Sequence, residues 1–129
     1  MPSPSSRLRR LLLGIAALMM AFTALVNATI VVPHLRADLV EIHVRPTLVS
    51  ATLLALHFGT FAMLGLALLV LAAAIQRQGA SALRVPLLIV AVTYAAFGIF
   101  AFLWSGSHHA LGFVLMGALV GAACVVRDG

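Results

Sequence analysis

Four long apolar runs separated by short polar links make up most of the chain. Residues 11–32, 47–75, 85–104 and 110–126 contain no Arg, Lys, Asp or Glu, and His57 is the only histidine within them. Crossing about 30 Å of hydrocarbon takes roughly 17–25 apolar residues in a helix. Each run is long enough to span, the last one narrowly. Barrel strands alternate polar and apolar positions over about ten residues, and these runs do not alternate. Backbone groups in hydrocarbon must bond to one another, which leaves helix. The pattern predicts an all-α membrane protein, a single antiparallel four-transmembrane-helix bundle with spans near residues 9–32, 47–75, 85–104 and 108–126. Residues 1–8, with Pro2, Pro4 and three serines, read as a disordered basic tail.

The link between the first two runs predicts one more element. At 100° per residue, His34, Asp38, Glu41 and Arg45 share a stripe, beside an apolar stripe of Leu35, Leu39 and Ile42. That is a short amphipathic helix on the outer face, bounded by Pro33 and Pro46, each suited to a first helical turn. It either lies on the membrane surface or continues the spans as a protruding hairpin. If Pro33 keeps the helical register, the stripe runs back to Asn27 and Thr23. Forward from His43, Ser50 and His57 align at i+7 and i+14. Apart from Arg9 and Arg10, residues 8–18 and 64–74 are apolar. The expectation is a bundle that is dry at one end, with a polar cavity near the other.

The short link 105–107 makes the last two spans neighbours. Gly117 and Gly121 give the last span a small-xxx-small face, which lets another backbone approach closely. This face is a candidate homodimer contact or, alternatively, internal packing. A weak echo, x-F-G-x-F-A-x-L, relates residues 57–64 to 96–103 and pairs His57 with Ala96. In so narrow an alphabet it reads as coincidence.

Composition agrees with the membrane class. Of 129 residues, 64% are hydrophobic and only 9% charged, against about 25% charged in soluble domains. The single Cys excludes an internal disulfide. The net charge is +5, carried by eight arginines. Arg7, Arg9 and Arg10 precede span one, Arg77 and Arg84 lie between spans two and three, and Arg127 follows span four. The positive-inside rule then places both termini in the cytoplasm of a bacterial inner membrane. A signal-peptide reading of span one, with cleavage near Val26-Asn27-Ala28, competes. Its apolar run exceeds the usual 7–15 residues, which favours retention as a span.

The candidate chemistry gathers toward the outer end. His57, an ionisable group inside a span, is a candidate ligand for haem, with a histidine of span four opposite, or a hydrogen-bond partner for a neighbouring helix. Asn27, Ser50 and Tyr94 join it as candidate ligand-binding residues. His34, Asp38 and Glu41, with His108 or His109, form a candidate divalent-metal set, because His and carboxylate ligands suit zinc and similar ions. The competing reading is a solvated helix face paired to Arg36 and Arg45. Trp104 reads as an interface anchor, and Phe97, Phe100 and Phe102 as lipid contact or packing.

Absent motifs narrow the classes. There is no HExxH, no CxxC and no phosphate-binding glycine loop, and the basic residues are too few and too close to the membrane for nucleic acid. No nucleophile or acid–base pair points to an enzyme. In size the chain is similar to small multidrug exporters, yet its first span has Asn27 and no glutamate. It is also similar in length to dimeric fluoride channels, without their Gly-Arg and Thr-Thr-Phe motifs. The expected function is binding of a metal, haem or small ligand in an outward-facing polar pocket. The alternatives are an accessory subunit of a membrane complex, or a small transporter or channel.

Overall fold

The computed structural model describes residues 3–76 and 82–126. In chain order these residues form α1 (Pro4–Val26), a π-helical turn (Asn27–Val31), α2 (Val32–Glu41), α3 (Pro46–Ile75), α4 (Arg84–Ser105), a 3₁₀ turn (His108–Ala110) and α5 (Leu111–Val125). Among the described residues there is no strand. Four helical stretches are long and apolar enough to cross a membrane: Pro4–Glu41, Pro46–Ile75, Arg84–Ser105 and His108–Val125. The chain is thus an all-α, multi-pass four-helix bundle. Arg77 and Arg127, counted in the charge pattern, lie outside the described residues.

The helix ends follow from local chemistry. Residues expected to be a loose tail are already helical from Pro4. Ser3 caps the helix, accepting from the Ser6 N–H at 3.3 Å, and Pro4 sits in the first turn, where its missing N–H costs nothing. At the other end of the hairpin, His43 adopts a left-handed φ of 57°. Its N–H reaches the Val40 carbonyl and the Val44 N–H reaches that of Leu39, both at 3.1 Å. This pair of bonds closes α2 as a Schellman motif with His43 where glycine is usual. Gly106, at φ 65°, ends α4 in the same conformation and turns the chain into α5. At Ser107 the backbone carbonyl accepts from Ala110 N–H, and the hydroxyl makes no capping bond.

Pro33 does not break the first helix. The Val32 N–H reaches back five residues to the Asn27 carbonyl, so the turn before the proline is wider than an α turn. In an α-helix the proline ring would press on the carbonyl four residues back, and the π turn makes room for it. The amphipathic segment therefore takes the second of its two expected forms. α2 continues α1 without a break, and the whole helix of 38 residues is about 57 Å long at 1.5 Å per residue. α2 packs on the π turn and on α3. With the start of α3 it forms a two-helix hairpin that rises past the α4–α5 turn.

α1 packs along α3, α4 packs along α5, and α1 joins the two pairs through α5. The interior is built largely from small residues: Ala16, Ala17, Ala24, Ala67, Ala73, Ala74, Ala91 and Ala123 are buried. Phe58, Phe61, Leu103 and Trp104 point outward and are at least 74% exposed. Lipid tails are as apolar as leucine, so packing in a membrane comes from close backbone approach rather than from hiding large side chains. Gly98 and Gly117 carry this furthest. A Cβ on Gly117 would lie 2.6 Å from the Ala91 carbonyl oxygen, and one on Gly98 would lie 2.7 Å from the Val114 nitrogen. The small face of the last helix is therefore occupied by α4 of the same chain.

Candidate functional site

The polar residues inside this part of the bundle come from the π turn, α3 and α4. Asn27 opens the π turn, and its Nδ2 donates to Thr60 Oγ1 at 2.8 Å. Thr60 is buried and its own hydroxyl donates to the Leu56 carbonyl at 3.2 Å. With its proton committed to that carbonyl, Thr60 Oγ1 has to accept from Asn27. The amide is thereby oriented, and its Oδ1 and second N–H are left over. Tyr94, only 5% exposed, has a hydroxyl with no hydrogen-bond partner. Leaving such a group unsatisfied costs about 1–3 kcal/mol.

The π turn, α3, α4 and α5 all border one cleft. It holds about 330 Å³ and is lined by Asn27, Leu56, Gly59, Met63, Tyr94, Phe97 and Phe113, with Ala55 at its edge. It exists because α3 and α4, unlike the other neighbouring pairs, do not pack closely on each other. No charged side chain lines it. Its aromatic wall is ordered: Phe97 meets Phe113 edge to face at 5.1 Å, and Tyr94 lies tilted to Phe113 at 6.1 Å. The opposite wall is open at Gly59, where a Cβ would meet nothing within 4 Å. A second cleft of about 370 Å³, lined by Phe22, Thr23, Val26, Val31 and His109, shares Asn27, Met63 and Phe113 with the first.

The other expected site residues are placed elsewhere. His57 and Ser50 are exposed on α3, and His57 lines neither cleft. Ser50 borders a groove at the hairpin tip with Arg36, Val40, His43 and Val49. His34, Asp38 and Glu41 are exposed on α2, and His108 and His109 are exposed at the α4–α5 turn. Among the described residues, no group of three or more His, Cys, Asp or Glu side chains is close enough to hold a metal ion. α2 and α5 do not pack closely on each other. The extra residue of the π turn rotates α2 by about 100°, so Asn27 does not share the face of His34, Asp38 and Glu41. Asn27 points into the bundle, while the His34 ring folds back and donates through Nδ1 to the Ile30 carbonyl at 2.8 Å.

Thr60, Gly59, Met63 and Phe113 were not singled out by sequence. Thr60 had a usable signal, as the only hydroxyl of its span between His57 and Ile75. Fold and site together define a class, a small multi-pass helical membrane protein with a laterally placed cleft. No family model, no curated protein and no solved structure matches the chain.

Proposed function

We propose that this chain is an integral protein of a bacterial inner membrane, both termini on the cytoplasmic side, that binds a small, mainly apolar ligand between α3 and α4. One observation carries the reading: Tyr94 lines the cleft, and its hydroxyl is fully buried with no hydrogen-bond partner. Buried polar groups are nearly always paired, and an orphan calls for an explanation. A ligand that fills the cleft and offers one polar atom supplies the partner. The volume lies near the lower end of the range for small-molecule sites, roughly 300–1,000 Å³. The arginines favour the stated orientation, since Arg9 near the start of α1 and Arg84 at the start of α4 stand at one end of the bundle. Leu13, Met20, Val70, Leu87 and Val120 are almost completely buried and seal that end, which weighs against a transport path.

A second reading has its own support. The protruding hairpin exposes Val40, Ile42 and Leu48, and a subunit that docks a partner beyond the membrane would use such a surface.

The test is photolabelling of the protein in nanodiscs with an apolar alkyl diazirine, read by peptide mass spectrometry. Saturable adducts on Met63, Phe97 or Phe113, lost in Gly59→Leu, support ligand binding in the cleft. Adducts confined to the outward Phe58, Phe61 and Leu103, with no effect of Gly59→Leu, overturn it.

A further inference from the structure

From the chemistry of the cleft walls we infer that its ligand is a membrane quinone, or an equally neutral, flat, carbonyl-bearing ring on an apolar tail. This inference rests on the cleft being a ligand site. The unsatisfied groups select the polar part. Tyr94 offers an O–H, and Asn27 offers the N–H that Thr60 does not take. Both groups can donate to one acceptor such as a carbonyl oxygen, and the Tyr94 oxygen and Asn27 Oδ1 are acceptors besides.

Charge narrows the choice further. The lining has no Arg, Lys, His, Asp or Glu, and an ionised headgroup in so apolar a site would pay desolvation without a counter-ion. Fatty-acid carboxylates and phospholipid headgroups are disfavoured on that ground. A neutral carbonyl is not.

Shape points the same way. Phe113 stands perpendicular to Phe97, at 88°, and inclined by 34° to Tyr94. A flat ring can stack on one of these faces and meet the edge of another. At Gly59, also in the lining, there is no side chain, and a Cβ there would meet nothing within 4 Å, which leaves room for a ring. The echo between α3 and α4 makes the point in another way. Gly59 and Gly98 hold the same place in x-F-G-x-F-A-x-L. Gly98 is filled by Val114 of α5, whereas Gly59 faces open space. The cleft has room for a ring but not for a long chain as well. Phe97, half exposed at the edge of the cleft, marks where a tail would leave into lipid.

The experiment measures thermal unfolding of the purified full chain in detergent against three probes: decylubiquinone, decylbenzene and decanoate. The inference expects saturable stabilisation by decylubiquinone, with decylbenzene and decanoate at least tenfold weaker. Tyr94→Phe, which keeps the ring and removes the hydroxyl, is expected to weaken decylubiquinone roughly tenfold, the value of one hydrogen bond of about 1.4 kcal/mol. Gly59→Leu is expected to abolish the response. Equal stabilisation by decylbenzene, unchanged in Tyr94→Phe but lost in Gly59→Leu, overturns the quinone assignment and leaves an apolar site standing. A response to none of the probes, or one indifferent to Gly59→Leu, overturns both.

Discussion

The contact between α4 and α5 makes a prediction whose sign can be worked out. Alanine is a better helix former than glycine, and a Gly→Ala change inside a helix ordinarily stabilises by about 0.5–1 kcal/mol. At Gly117 the new Cβ would sit 2.6 Å from the Ala91 oxygen and 2.7 Å from the Ala95 nitrogen. Both are backbone atoms, so no side chain can swing away. Ordinary contact begins at 3.4 Å, and the helices would have to part by about 0.8 Å. A radial gap of 0.5–1 Å forfeits a quarter to a half of each dispersion contact along the interface, and overpacking of this kind costs about 1–3 kcal/mol. The loss exceeds the helix gain. Gly117→Ala should destabilise by about 1–2 kcal/mol, and Gly98→Ala should behave alike, with Val114 N at 2.7 Å and the Ala110 oxygen at 2.9 Å.

The controls lie in the same chain. Gly65 and Gly112 have nothing within 4 Å of a built Cβ, and at Gly121 the nearest atom, Ala91 Cβ, is a comfortable 3.8 Å away. Alanine at these three positions should be neutral or stabilising. Unfolding by SDS titration in mixed micelles, followed by far-UV circular dichroism, measures all five. Should Gly117→Ala and Gly98→Ala prove as stable as Gly65→Ala, the close approach of α4 and α5 is wrong. The same series tests where the small face is used. A contact within one chain gives a loss independent of protein concentration, whereas a homodimer through Gly117 and Gly121 gives a loss that fades on concentration and comparable effects at both glycines.

Two further outcomes follow from single bonds and one dihedral. Thr60→Val removes the acceptor for Asn27 and should cost about 0.6–1.7 kcal/mol, the range for hydrogen bonds between membrane helices. In Asn27→Leu the same substitution should cost almost nothing extra, and additive losses in this double-mutant cycle would deny the bond. His43→Gly relieves a left-handed residue at the hairpin tip and should stabilise by about 1 kcal/mol, read as slower proteolysis at residues 42–45; faster cleavage would mean that the tip is not closed by the Schellman bonds.

The spans were legible because the bilayer makes a single demand, a charge-free run of sufficient length in which the backbone satisfies itself. Asn27 and Tyr94 were legible for the same reason, as polar groups in apolar runs. Thr60 was less visible. A threonine in a span can bond the carbonyl four residues back, as Thr23, Thr29 and Thr93 do here, so its presence does not announce a partner on another helix. His34, Asp38 and Glu41 keep one stripe of α2, but it is not the face that Asn27 takes. Periodicity assigns faces only while the turn stays at 3.6 residues, and five residues of π-helix ahead of Pro33 reset the phase.

That phase reset also explains how one helix serves two tasks. In an unbroken α-helix Asn27 and His34 would share a face, since seven residues are nearly two turns. Either the amide would leave Thr60 or the charged stripe of α2 would turn toward α3. Pro33 does not itself impose the wide turn, but it removes the N–H that an α turn would use there and crowds the carbonyl four residues earlier. The π turn relieves both. Asn27 can therefore face α3 and the cleft while His34, Asp38 and Glu41 face solvent. The polar residue that orients the cleft and the residues that keep the hairpin wet are set apart by one inserted position.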